Sequence, residues 1–349
     1  MLWRYIIKSF NVIIRRLNCL LSKVDLCMLL LLIYFKFQLM QTILGSGGAI
    51  GIELSKSLAA FTSDVRLVSR NPKKINETDN LFAADLKDKA QVNKAIAGSD
   101  ICYLTVGFEY KTKLWQQQWP TVIQNVVDAC VQHQSKLVFF DNVYAIGGDN
   151  IKHITEQSLI SPSSKKGEVR AWVDRYILEQ VEKGKLQAII ARAPDFFGPV
   201  KGNSLLMNMV YDNFMKGKSA QWFCNADVVH SSGYAPDLAK GTAMLGNASD
   251  TYNQIWNLPV DSNPITGRQW VQLFAEQMNT ADKVQVLPSW GIKILGLFIP
   301  ILKEMHEMKY QYDRDYFFDS SKFETKFNYL PTSNKNAVRQ TLETLKQAL

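Results

Sequence analysis

The sequence predicts an α/β fold, a doubly wound parallel sheet followed by a smaller, mostly helical C-terminal region, and three observations carry that expectation. A short apolar run breaks into glycines at Gly45, Gly47, Gly48 and Gly51 and passes at once into a helix-forming pattern through Glu53, Leu54 and Leu58. Apolar runs of strand length then alternate with helical patterns as far as Arg192, and after Pro194 the rhythm becomes irregular. Strands alternating with helices at this interval imply βαβ units, right-handed crossovers and a parallel sheet covered on both faces.

Taken in order, Thr42-Ile43-Leu44 is the first strand, and the glycines after it form a tight turn into a helix. That geometry binds phosphate, because unpaired N–H groups of the first helical turn and the positive end of the helix dipole face the ligand. Glycines let the backbone approach it closely, with Ala49 and Ile50 opening the helix. The spacing is Gly45-x-x-Gly48-x-x-Gly51 rather than G-x-G-x-x-G, because position 50 is Ile. Taken alone, the triplet is equally an ordinary strand-to-helix turn. Residues 65–69, 81–84, 101–106, 136–140 and 186–192 supply further strands, and residues 89–97 and 119–133 read as helices between them. Beyond Pro194 come a helix near 205–216, a short strand near 254–258 and a helix over 266–278. The chain therefore divides into 1–39, 40–194 and 195–349, with segments of the last part weaving back into the sheet. No internal repeat or low-complexity tract appears.

The chain has 349 residues, 47% of them hydrophobic and 21% charged, ordinary values for a globular protein with a full core. Its formal charge is +8, but the basic residues are scattered, with no aromatic-interleaved patch and no nucleic-acid motif. Arg4, Lys8, Arg15, Arg16, Lys23 and Lys36 precede Met40 against the single acid Asp25, so five of the eight excess charges lie there. Residues 26–35 are almost wholly apolar, yet the uncharged stretch ends at Lys36, short of the roughly 20 residues a membrane helix needs. Met40 is read as the functional start and 1–39 as a leader or mis-assigned extension, a membrane-surface anchor being the other reading. Five cysteines, Cys19, Cys27, Cys102, Cys130 and Cys224, are widely spaced without a C-x-x-C pair, as in buried thiols of a reducing, cytoplasmic compartment.

Seven pieces in order carry a resemblance. They are the glycine triplet, Ala84-Asp85-Leu86, Asn125, Ser164-Lys165 with Glu168, Arg192-Ala193-Pro194-Asp195-Phe196-Phe197-Gly198-Pro199, Asp237-Leu238-Ala239 and Trp256-Asn257-Leu258. From Met40 to about Leu345 the chain resembles an extended short-chain dehydrogenase/reductase, the NAD-dependent epimerase/dehydratase group. The resemblance implies a Rossmann-type nucleotide-binding domain with a substrate-covering region after it. It places Asp85 and Leu86 beside the adenine, and Thr105, Val106 and Gly107 beneath the nicotinamide-side ribose.

The cofactor follows from charge. In a dinucleotide fold an acid at the end of the second strand holds the ribose hydroxyls of NAD, whereas a cation there accommodates the 2′-phosphate of NADP. This sequence has Ser69-Arg70-Asn71-Pro72-Lys73-Lys74, with no acid at the strand end. NADP is therefore favoured over NAD, with Arg70 meeting the phosphate through paired hydrogen bonds and Ser69 adding another. A solvated basic loop is the alternative.

The resemblance implies a Ser or Thr after the fifth strand and a Tyr-x-x-x-Lys pair in which the lysine lowers the tyrosine pKa. Lys165 stands for the lysine, holding the ribose, but four positions earlier lies Ser161, and Asn142 occupies the Ser/Thr position. Tyr144 is the nearest replacement phenol, its deprotonation favoured by the Lys165 charge, and an aromatic packed under the substrate region is the alternative. Glu109, Tyr110, Lys111 and Trp115 are pocket candidates, and Asp141 is either a ligand or a loop-capping carboxylate. His153, His230 and His306 show no carboxylate or cysteine at ligand spacing, so no metal site is expected. The apolar run 292–302, interrupted by Pro300, is expected to be a core or oligomer-facing helix rather than a membrane contact.

Two functions stay open. One is an NADP-dependent oxidoreductase or epimerase with a modified proton-transfer group, acting on a small carbonyl, alcohol or sugar-like compound. The other is an inactive NADP-binding regulator or scaffold of the NmrA-like kind. The expected partners are a small-molecule substrate and a second copy of the chain as a homodimer, without nucleic acid or membrane.

Overall fold

The computed structural model describes residues 39–200 and 204–347, so the leader expected over 1–39 lies outside the described residues except for Leu39. Strands β1 (Gln41–Leu44), β2 (Val65–Ser69), β3 (Asn80–Ala83), β4 (Ile101–Leu104), β5 (Lys136–Asn142) and β6 (Ala188–Ala193) form one sheet. Strands β7 (Asp195–Phe197), β8 (Ala220–Phe223) and β9 (Ser232–Tyr234) lie outside it, and β10 (Gln254–Asn257) returns to its edge. The order is β10-β6-β5-β4-β1-β2-β3, with every neighbouring pair parallel. It reverses between β1 and β4, the switch point at which open α/β sheets bind ligands.

Burial explains the reading of β1 and β4 as continuous runs: every residue of both is covered, as expected of a parallel sheet flanked on two sides. On one face α1 (Ala49–Leu58) supplies Ile50, Leu54 and Leu58 to the core. On the other, α2 (Lys89–Ile96), α3 (Thr112–His133) and α4 (Lys165–Glu182) pack side by side over Leu104, Leu137 and Phe139. A π-helical turn, Met207–Tyr211, runs into α5 (Asp212–Met215), and α6 (Ala235–Asn247) lies against α1. Helix α3 begins at Thr112, two turns before the expected start, and Pro120 lies inside it. A proline usually marks a helix start; here the helix runs through it, with the indoles of Trp115 and Trp119 buried on the turns ahead.

The C-terminal region is built on a second core. Helix α7 (Gly267–Met278) opens with a capping box between Thr266 and Gln269 and buries Trp270 and Phe274. Strand β11 (Val284–Leu287) pairs with β8, and α8 (Ser289–Leu295), α9 (Pro300–His306), α10 (Ser321–Phe327) and α11 (Asn334–Gln347) follow. The 292–302 run is not a core helix. It breaks at Gly296, restarts at Pro300, and leaves Ile294, Leu295, Leu297, Phe298, Ile299 and Ile301 exposed, with Ile292 facing inward.

Candidate functional site

The turn from β1 to α1 is built around close backbone contacts. Gly45 has φ +99°, and a Cβ there would meet the Val106 backbone at 2.7 Å. A Cβ on Gly51 would meet the Gly45 carbonyl oxygen at 2.6 Å, so α1 starts tight against the loop. Gly47 has nothing within 4 Å of where its Cβ would stand, leaving its surface open to a ligand. Gly48 caps α1 without a side-chain hydrogen bond, which leaves that helix end available to an anion.

These glycines form one wall of a cleft of about 410 Å³. Ser69 and Arg70 stand at the end of β2, Asp85 and Leu86 just after β3, and Val106 and Gly107 just after β4. Leu114 and Gln118 of α3 close the far side. Arg70 is exposed at the rim. Asp85 Oδ1 accepts from the Lys87 N–H at 3.0 Å, and Asn125 Nδ2 donates to the Leu86 and Lys87 carbonyls at 3.1 Å, fixing that loop to α3. Ile50 points into the core and Thr105 Oγ1 turns to the Leu44 carbonyl at 3.3 Å. The lining balances Asp85 and Glu109 against Arg70 and Lys87, and a bare helix end beside an open glycine suits a dinucleotide pyrophosphate, so the residues present fit an NAD(P) cofactor.

The residues expected to carry catalysis are not gathered together. Lys165 is exposed, and its backbone N–H donates to Glu307 Oε2 at 3.0 Å. Ser161 Oγ is also exposed and accepts from Asn150 Nδ2 at 3.0 Å. Asn142 Oδ1 accepts from the Tyr144 N–H at 3.0 Å, so this side chain shapes the loop that presents Tyr144. The Tyr144 ring stacks on Trp115, centroids 6.0 Å apart, and its hydroxyl lies 3.5 Å from that of Tyr110. Burial first, then the charge of Asp195, pushes the Tyr144 phenol far above its ordinary pKa, the reverse of the lowering expected beside Lys165. Tyr110 is raised for the same first reason.

Nothing in the chain's pattern marks which charged groups turn inward. Lys166 is fully buried, with Nζ 2.6 Å from Glu307 Oε1, in contact with Glu304, and 4.5 Å above the Tyr110 ring. One turn later Arg170 binds Asp141, its guanidinium 4.3 Å from the Trp119 ring and 4.7 Å from Phe139. Asp141 thus holds a cation beneath the loop. Beside it Asp174 faces Arg192, and burial followed by the neighbouring Asp141 charge raises the Asp174 carboxyl well above its usual range. His230, which has no carboxylate at ligand spacing along the chain, has Nε2 3.1 Å from Asp195 in the fold, and Tyr312 donates to the same carboxylate at 2.6 Å. The pair lines a cavity of about 10 Å³ and joins across β7 and β9, which spacing along the chain does not reveal.

Residues 42–258 match the model of the NAD dependent epimerase/dehydratase family. The chain belongs to that family. No curated protein matches it by sequence. Among solved structures it is similar to the UDP-glucose 4-epimerase of Thermus thermophilus in complex with NAD, at 16% identity and TM-score 0.69 over 89% of this chain and all of that one. It is similar also to the UDP-N-acetylglucosamine 4-epimerase of Bacillus cereus, at 14% identity and TM-score 0.68 over 88% and 100% of the two chains. The dTDP-glucose 4,6-dehydratase of Streptomyces venezuelae with NAD bound gives 14% identity and TM-score 0.72 over 88% and 97%. These likenesses are likenesses of fold. This epimerase/dehydratase-family chain keeps that sheet and its switch-point cleft, and places Asn142 and Lys166 at the neighbouring loop and helix.

Proposed function

We propose that this family member binds NADP in the cleft between β1 and β4 and reduces a small carbonyl or sugar-like substrate, with Tyr144 as the proton donor. The observation that carries the cofactor assignment is Arg70 exposed at the cleft rim, where β2 ends without an acid. Gly47 and the α1 N-terminus would hold the pyrophosphate, Arg70 and Ser69 the 2′-phosphate, and Asp85 and Leu86 the adenine side. When bound, the nicotinamide supplies hydride exchange. The chain's own part is to place the substrate and move a proton. A phenol held protonated by burial is suited to give its proton to a developing alkoxide and poorly suited to take one from an alcohol. That asymmetry favours reduction. Sugar-nucleotide enzymes among the structural neighbours support a sugar-like substrate, and the free thiols of Cys102, Cys130 and Cys224 support a cytoplasmic setting.

A specific observation also favours the cofactor-binding regulator: the inward lysine of α4, Lys166, is engaged by two glutamates. Titration with NADP and NAD, followed by absorbance of the reduced cofactor against a panel of carbonyl and sugar-nucleotide compounds, separates the readings. Tighter binding of NAD would end the NADP assignment. Tight NADP binding with no turnover on any compound would make the regulator the better account.

A further inference from the structure

We propose that the turn between α8 and α9 is a docking lip that inserts into an anionic lipid surface. At the turn Leu297 is 79% exposed and Phe298 81%, and on the flanking helices Trp290 is 70% exposed, with Ile294 and Ile301 about half exposed. So many large apolar side chains exposed within a dozen residues of one hairpin mark an interaction site. Helices α8 and α9 have seven residues each and pack on one another, so the patch is the tip of a short helical hairpin.

The backbone of the tip is prepared for a medium without water. The N–H groups of Gly296, Leu297, Phe298 and Ile299 donate to carbonyls of Ile292, Ile294 and Leu295 at 2.8–3.1 Å. Groups satisfied within the segment lose little when the tip leaves water, the condition that any lipid-exposed backbone must meet. The hairpin is also anchored from behind. Ile292 and Met305 pack with Met209, Phe223 and Tyr312, while Glu304 and Glu307 turn inward to Lys166.

Charge identifies the partner. With those two acids bound to Lys166, the outward cations of the hairpin are Lys293 and Lys303, with Lys309 three residues past its end. Lys293 and Lys309 both act on His306, whose pKa is lowered by burial first and then by their charges, and the Lys303 backbone nitrogen lies 3.0 Å from where a Cβ on Gly296 would stand, beside the break between the helices. An apolar tip with aromatic residues and a cationic collar is the pattern of interfacial membrane binding, and lysines near the surface add attraction to anionic headgroups. A second copy of the chain fits less well, since a two-fold contact through the tip would bring the lysine collars against each other. Among the described residues no helix is long and apolar enough to cross a membrane, so the lip would lie on the surface rather than span it. The sequence over residues 1–38, basic ahead of the apolar stretch 26–35, has the same chemistry.

The test is sedimentation of the full chain with vesicles of phosphatidylcholine alone and with vesicles containing phosphatidylglycerol. The parent should bind the second kind, less so as salt is raised. Leu297→Asp combined with Phe298→Asp should weaken that binding at least about tenfold, and Lys293→Gln with Lys309→Gln should lower it by about tenfold while leaving weak binding to phosphatidylcholine unchanged. Both variants should keep the parent's melting temperature and NADP titration, because the altered side chains are exposed. Absence of parent binding, or equal binding by the aspartate variant, would overturn the proposal. So would a parent dimer in sedimentation velocity that the aspartate variant dissolves, which would assign the tip to a second copy.

Discussion

Lys166 Nζ lies 2.6 Å from Glu307 Oε1 and 2.9 Å from Thr112 Oγ1, joining α4 of the nucleotide-binding sheet to the end of α9 and the start of α3. The lysine has no exposed surface, so removing it would leave Glu304 and Glu307 facing each other without a cation. Lys166→Met is expected to cost about 3 kcal/mol or more, the scale for breaking one side of a buried ion pair. Urea unfolding of the two proteins measures this; a difference within a few tenths of a kcal/mol would mean that the two acids rearrange freely.

The same contact gives a pH dependence. Burial raises the Glu304 pKa, but hydrogen bonds from Lys166 and Thr112 outweigh it, and the net shift is downward. A carboxylate whose folded pKa lies below its unfolded value contributes stability above that unfolded value, about 4.3, and loses it as pH falls through the folded one. The melting-temperature gap between parent and Glu304→Gln should therefore be constant above about pH 5 and shrink in acid below about pH 4. A gap that widens on acidification would contradict the sign.

Two glycines separate folding from binding. Gly51→Ala forces a Cβ to within 2.6 Å of the Gly45 carbonyl oxygen and should destabilise by about 1–3 kcal/mol, the range for overpacking. Gly47→Ala meets nothing and should melt like the parent, yet bind NADP and NAD more weakly by similar factors if the added methyl stands where the proposed site receives the pyrophosphate. Normal nucleotide affinity in Gly47→Ala would move the phosphate site away from this loop.

Arg70→Ala should weaken NADP binding by about 1.5–3 kcal/mol, the range for a hydrogen bond to a charged group, and leave NAD nearly unchanged. Titration calorimetry with both nucleotides reads this directly. Equal losses would make Arg70 a general rim charge.

The cleft was legible in the sequence because its walls are local. A glycine turn, the ends of β2 and β4 and the loop after β3 each follow their strand immediately, so naming the strand names the wall. The inward residues of α4 were not legible for a geometric reason. Positions four apart share a face only inside a helix, and α4 begins at Lys165 with Ser164 as its cap, which leaves Ser161 outside the helix altogether. Lys165 and Lys166 are neighbours in sequence but about 100° apart around the axis, and which of them faces inward depends on α9. The 292–302 run likewise has core composition, and only the break at Gly296 and Pro300 turns most of it outward. The His230 partnership with Asp195 depends on β7 pairing with β9, a long-range contact with no periodic signal.

The proposed chemistry rests on Tyr144, and the direction of its shift makes the assignment testable. A phenol whose folded pKa is raised stays protonated past the ordinary value of about 10, so a reduction that draws its proton from Tyr144 should not slow as pH approaches 10 for want of that proton. Tyr144→Phe keeps the ring stacked on Trp115 and removes only the hydroxyl beside Tyr110, so NADP affinity should be unchanged while reduction falls by about 10²–10⁴-fold, the scale of a lost general acid. Lys165→Ala and Ser161→Ala should retain most activity, because both residues are exposed and neither is a hydrogen-bond partner of that phenol, whose hydroxyl lies beside Tyr110. Turnover of all three variants on one identified substrate, with cofactor titration as the control, decides the matter. Full reduction by Tyr144→Phe would remove the phenol from the mechanism, and a large loss in Lys165→Ala would mean that α4 turns its first residue inward when cofactor is bound.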